Sequence, residues 1–305
     1  MRIALRGMGS RETLAELDRS GAAELVGGIH GGMFFDASWP DPGLDQLLRR
    51  AAEVGGVEIN PWMTFEESEV DECEYLRPRC RKVVRDSRTD FERMRAYLDG
   101  LPWLGEDPKR RFRLLDRLSL SKIKLKPNEV GGVGEWSAEW VIGAAVRGAF
   151  EAAGLTGFEP RPVFRTRDDA PFDDYFHLHC DHVLGDRALD LASPELRSPH
   201  PEESGYDTLG CLCYDPAVLS EARDFNRTGE RAKSFEFPDW VVRARVRTCF
   251  RESRLRGWAF EPVLQTGSAA YLAYHELWGS FYELLRACEH HTIRAQKPFA
   301  DPVRG

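Results

Sequence analysis

The 305-residue chain has no apolar run approaching the ~18 residues of a membrane helix. Its opening, MRIALRGMGSRETLAELDRSG, also lacks the apolar core and small-residue cleavage site of a secretory signal. These absences predict a cytoplasmic protein with no membrane partner. Positive charge is in short supply: 42 Lys and Arg against 50 Asp and Glu leave a formal net charge of −8. Phosphate affinity comes mainly from Lys and Arg releasing condensed counterions, so the deficit argues against nucleic acid as a partner and permits a basic protein. Catalytic fingerprints are missing too. No HExxH and no Walker-type glycine-lysine loop occurs, and neither GMGS nor GGVGEW completes GxGxxG. The seven cysteines are odd in number and irregularly spaced, which suits free thiols or metal ligands in a reducing compartment better than a disulfide framework.

What is present is an ordinary globular composition, 42% hydrophobic and 30% charged, in a chain longer than the usual single-domain range of about 100–150 residues. The N-terminal part alternates strand and helix. RIALRG reads as a strand, and Ser10 can cap a helix that Gly21 ends. PGLDQLLRRAAEVGG places Leu44, Leu47, Leu48 and Ala51 on one helical face and stops at Gly55-Gly56; VEINPWMTF is then extended. TDFERMRAYLDGLPW predicts a further helix, SKIKLKP a half-exposed strand, and KPNEVGGVGEW a linker. The expected organisation is an N-terminal α/β region over 1–128 and a C-terminal α+β domain over 129–305.

Within that second region the chain repeats itself. WVIGAAVRGAFEAAGLTGF, from Trp140, and WVVRARVRTCFRESRLRGW, from Trp240, share eight of nineteen positions in unbroken register. Ile142, Val146, Ala149 and Phe150 fall at helical spacing, as do Val242, Val246, Cys249 and Phe250. Each stripe leads through Gly157 or Gly257 into an aromatic, strand-forming run. The predicted fold class is therefore α+β, a mixed α/β chain with two similar helix-turn-strand units at about 136–164 and 236–264. Such units supply no nucleophile, base or phosphate loop, which predicts a scaffold and no enzyme.

These segments, VIGAAVRGAFEAAGLTGFEPRPV and RVRTCFRESRLRGWAFEPVL, resemble the helix-then-strand endings of bacterial polymorphic-toxin immunity proteins, the double-CXXCG-motif group above all. The resemblance spans roughly 136–264 and implies a cytoplasmic protein that binds and silences a cognate toxin. The paired CXXCG knuckles of that group are absent; HLHCDH and GCLCYD stand in their place.

That replacement still concentrates metal-binding side chains. His177, His179, Cys180 and His182 precede Cys211 and Cys213, and four of them, for instance His177, Cys180, Cys211 and Cys213, would satisfy tetrahedral zinc. The single residue inside CLC is shorter than a zinc knuckle needs, so the plainer reading is a strand entering a core with hydrogen-bonded histidines. Cys249 and Cys288 are expected in the core, and Cys73 and Cys80 in structural positions. No motif requires a cofactor, and zinc is the one metal weighed.

Two acidic stretches complete the picture. EESEVDECE holds Glu66, Glu67, Glu69, Asp71, Glu72 and Glu74; RDDAPFDD holds four aspartates. A solvated surface is the usual outcome of such stretches. The alternative is a contact surface for a basic toxin, with Glu66, Glu67, Glu69, Asp71 and Glu72 as the partner-binding set. The leading expectation is an immunity protein acting by occlusion; the alternatives are a metal-dependent hydrolase using the His/Cys cluster and an adaptor with a small-molecule pocket.

Overall fold

A computed structural model of the chain describes residues 1–18, 25–29, 32–40, 43–55, 57–82, 84, 117–133, 139–185, 188, 205–206, 211–232, 238–287 and 293–295. The helix expected over 89–103, the Gly21 stop and Cys288 lie outside these residues.

The N-terminal part runs β1 (Arg2–Gly9), α1 (Arg11–Asp18), β2 (Leu25–Ile29), β3 (Gly32–Trp39), α2 (Leu44–Val54), β4 (Val57–Thr64), α3 (Glu67–Asp71) and β5 (Tyr75–Cys80). Ser10 Oγ accepts the Thr13 N–H at 3.1 Å, the cap its position predicts. Leu44, Leu47, Leu48 and Ala51 are all buried on α2, which Gly55 closes at φ 74°. The chain continues through β6 (Leu118–Leu120), β7 (Val130–Gly132), β8 (Trp140–Gly143), α4 (Ala144–Ala152), β9 (Glu159–Arg165) and β10 (Pro171–His179). It ends in β11 (Gly205–Tyr206), β12 (Leu212–Tyr214), α5 (Pro216–Ser220), β13 (Phe225–Ala232), β14 (Pro238–Arg243), α6 (Ala244–Glu252), β15 (Trp258–Gln265), α7 (Ala269–Ala287) and β16 (Ile293–Ala295). The result is a mixed α/β fold.

Three local expectations need correction. Trp140 and Trp240 lie in strands, not helices: WVIG and PDWVVR are extended, and α4 and α6 begin at Ala144 and Ala244. A four-residue apolar run buried on both faces has no period of its own, so it merges with the helical stripe that follows. SKIKLKP carries no strand; the paired segment is Leu118–Leu120 just before it. Gly131 and Gly132, within the expected linker, belong to the sheet, because Val130–Gly132 forms β7 and is wholly buried. Gly131 is needed there: a Cβ would sit 2.8 Å from the side chains of both Leu125 and Val84.

Three sheets organise these strands. The first has the order β16-β4-β1-β3-β2; α7 and α2 contribute Tyr271, Tyr274, Trp278, Phe281 and Leu47 to the cluster that buries Ile3 and Leu5. The second has the order β6-β9-β10-β8-β7, and the third β11-β13-β14-β5-β15-β12. In the second, β10 lies antiparallel between β8 and β9, while β7 is antiparallel to β8 and β6 parallel to β9. In the third, β5 lies antiparallel between β14 and β15, with β13 antiparallel to β14 and β12 parallel to β15. Residues 75–80 therefore sit inside a sheet otherwise built from residues 205–265, across the boundary expected near 128.

An aromatic core joins the second and third sheets. Trp140 stacks on Trp240 at 4.6 Å between ring centroids, Trp258 tilts against Trp140 at 4.7 Å, and Phe250 stacks on Trp258 at 4.8 Å. Phe150, Phe225, Val146 and Val246 are fully buried around them. Burying each such side chain contributes about 1.5–3 kcal/mol, and well-placed ring pairs add about 0.5–1.5 kcal/mol. The turns after α4 and α6 bind across this core. Thr156 O accepts the Phe225 N–H of β13 at 3.0 Å, and Arg256 O accepts the Val130 N–H of β7 at 2.8 Å.

Candidate metal centre

The β9–β10 pairing sets His179 opposite Glu159 and His177 opposite Arg161. Directly opposed residues share a face, and alternate residues of one strand do too, so these four side chains gather on one side of the sheet. The two imidazoles meet edge to face at 5.9 Å. Glu139, just before β8, is fully buried and hydrogen-bonds His177 Nε2; His177 is equally buried.

The outer end of this row carries ligand chemistry. Glu159, His179 and Asp181 each present an atom within 4.8 Å of the others. His179 Nδ1 lies 3.5 Å from Asp181 Oδ1 and 3.9 Å from Glu159 Oε2. The imidazole is 4% exposed, and Nδ1 makes no hydrogen bond. Arg161 bonds Glu159 Oε2 at 2.7 Å and stands 3.7 Å from Asp181 Oδ2, so one guanidinium faces two carboxylates. Burial, then the nearby Arg161 charge, lowers the His179 pKa, which keeps the ring neutral and its lone pair free to ligate. The Arg161 hydrogen bond holds the Glu159 carboxyl below its usual range. A buried neutral nitrogen facing two exposed carboxylates is a donor set for a divalent ion, with solvent access from the carboxylate side.

No family model matches the sequence, and no curated protein matches it either.

The four residues named from the sequence as zinc ligands are divided among different surroundings. His177 faces Glu139, in the row just described. Cys180 belongs to the aromatic core, its thiol donating to the carbonyls of Phe225 (3.5 Å) and His182 (3.6 Å). Burial pushes its pKa up to about 11. Cys213 on β12 and Cys211 just before it pack in one cluster with Leu264, Tyr274 and Trp278 beneath α7. The Cys211 N–H donates to Tyr274 Oη at 3.1 Å, and burial, then Cys213, drives the Cys211 thiol well above the ordinary range. Protonated thiols in an apolar core are poor ligands. Cys249 is buried, donating to Ala149 O at 3.6 Å, while Cys73 and Cys80 are half-buried thiols bonded to the carbonyls of Glu69 and Lys82. Glu159 was not among the sequence candidates. Its signal is positional only: it starts the strand whose register meets His179.

The acidic segment is largely used within the chain. The Glu66 and Glu69 side chains form the reciprocal cap of α3, and Glu69 also pairs with the Met1 ammonium. Arg247 on α6 reaches both Glu67 and Asp71, and Arg251 joins Asp71 at 2.9 Å. Glu72 is exposed. Among the described residues no helix is long and apolar enough to cross a membrane.

Proposed function

We propose that the chain is a divalent-metal protein whose ion is held by Glu159, His179 and Asp181. One observation carries this: a nine-tenths-buried imidazole nitrogen with no hydrogen bond, aimed between two carboxylates. Two oxygens and one imidazole suit zinc or another first-row divalent ion. Three protein ligands leave a coordination position for water or a substrate atom, the arrangement that serves hydrolysis. Arg161 borders that position and would meet an anionic group there. On this reading the two strand-helix-strand segments are copies of one unit, and the positions one hundred residues from Glu159, His179 and Asp181 hold Ala259, Arg79 and Arg81, which offer no such donor set.

Cobalt titration tests the proposal, since d–d absorbance reports the ligand field directly. Stoichiometric binding by the native protein, lost in His179→Gln with an unchanged circular dichroism spectrum, is the expected result. Equal binding by the two proteins would end it. Occlusion of a cognate basic toxin in the cytoplasm is a second proposal, supported by the resemblance at residues 136–264. It places the contact away from α3, whose carboxylates already have partners in this chain. Co-expression with the neighbouring gene, scored for growth, tests it.

A further inference from the structure

The likeness between the two halves extends beyond the segments at Trp140 and Trp240. The central strands correspond at the same offset: Tyr75-Leu76-Arg77-Pro78-Arg79-Cys80 stands one hundred positions before Tyr175-Phe176-His177-Leu178-His179-Cys180. Their surroundings correspond contact by contact at several places. Tyr75 Oη donates to Leu219 O at 2.8 Å, and Tyr175 Oη to Leu125 O at 2.6 Å. The Cys80 thiol bonds the carbonyl of Lys82, and the Cys180 thiol that of His182. Gly132 exchanges backbone hydrogen bonds with Lys82 and Val84; Arg227 does so with His182 and Leu184. Arg77 meets Asp239 where His177 meets Glu139. Gly157 rests on the carbonyl of Phe225, and Gly257 on that of Val130. The stacked pair Trp140 and Trp240 is then a contact between equivalent residues of the two copies.

The sheets record which copy each central strand serves. Counting from the acidic segment, the first copy covers roughly residues 66–165 and the second roughly 166–265. The first strand of the first copy is β5, which is central to the sheet of β14 and β15; the first strand of the second is β10, which is central to the sheet of β8 and β9. We infer that the protein is a fused, strand-exchanged pair, each copy completing the other's sheet, and that the metal centre is assembled across the exchange. Its ligands come from both: Glu159 from the first copy, His179 and Asp181 from the second. A bound ion would staple the copies at this seam, a conclusion that rests on the metal reading above.

The two charge patterns explain why the ion belongs to one seam only. At the Arg77 seam, two arginines, Arg77 and Arg79, meet two carboxylates, Asp239 and Glu261. At the His179 seam one arginine, Arg161, faces two carboxylates, Glu159 and Asp181. One seam is balanced internally, and the other has a carboxylate in excess.

Cutting the chain after it has folded tests both parts. A protease site is inserted between Arg167 and Asp168, in the exposed turn joining β9 to β10, and the purified protein is cleaved. The two pieces are expected to co-elute in native buffer without metal, at the volume of the uncut protein, and to part only in denaturant. Separation in native buffer would overturn the exchange. Zinc is then added to the cleaved protein. It should raise the urea concentration at which the pieces part, and His179→Gln should abolish that rise while leaving co-elution intact. Co-elution with no zinc effect would sink the stapling and the metal reading together, while the exchange would stand.

Discussion

Replacing Gly257 by alanine probes the docking of a turn on the opposite sheet. Gly257 has φ +109°, beyond the left-handed region that other residues visit, and its missing Cβ points at the Val130 carbonyl, deep inside contact distance. Forcing an L side chain into such a conformation costs about 1–3 kcal/mol. Relief requires the turn to lift from β7, which breaks the 2.8 Å bond from the Val130 N–H to Arg256 O, a further loss of about 0.5–1.5 kcal/mol. The sum is roughly 1.5–4.5 kcal/mol. Gly154 is the control, because it has φ +61° and open space where its Cβ would go; alanine there should cost only about 1–2 kcal/mol. Urea unfolding followed by circular dichroism separates the two. At a slope of about 3 kcal/mol per molar, the midpoint should fall by about 1 M for Gly257→Ala and by about half that for Gly154→Ala. Gly157→Ala, at φ +85° over the Phe225 carbonyl, should resemble Gly257→Ala. If Gly257→Ala proved no worse than Gly154→Ala, the turn would not be seated on β7 and the interlocking of the sheets would be refuted.

Other consequences are open to direct measurement. Glu139→Ala strips the partner from a fully buried imidazole and should cost about 3–5 kcal/mol in chemical denaturation. Arg247→Met keeps the buried stem but loses the pairs to Glu67 and Asp71, which are 90% and 45% exposed; the loss should stay within about 1 kcal/mol and shrink in high salt. His179 and His182 both have pKa values lowered below 6.5, chiefly by burial. The unfolded chain therefore binds protons that the folded one refuses. Stability should be full above pH 6.5 and fall as pH drops below it, with a shallower fall in His179→Gln. Alkylation of the native protein at pH 8 should spare Cys180 and Cys211, whose thiols burial keeps protonated; rapid labelling of either would contradict their placement.

The periodic elements were legible because their signals are local. Leu44, Leu47, Leu48 and Ala51 announce α2, and Ser10 announces α1. The strands at Trp140 and Trp240 were not, since four apolar residues before a helix extend its stripe without breaking it. Non-local pairing hid the rest. Nothing around Tyr75 indicates that its partners lie at 238–265, although Tyr75 and Cys80 recur as Tyr175 and Cys180 in the register that marks the tryptophans. The candidate metal centre was half visible: HLHCDH drew attention to His179, but cysteine preference pointed to thiols that turned out to be core. Glu159 emerges only once β9 is laid against β10.

The position of β5 also bears on synthesis. Its last residue, Cys80, leaves the ribosome about 160 residues ahead of Pro238, where its first neighbouring strand begins. At about 5–20 residues per second that is a wait of roughly 8–32 seconds. A nascent chain with both edges of a strand unmet is exposed to pairing with its neighbours on a polysome. Arg77, Pro78 and Arg79 interrupt that strand with two charges and a residue that cannot donate, the kind of gatekeeping such a delay would require.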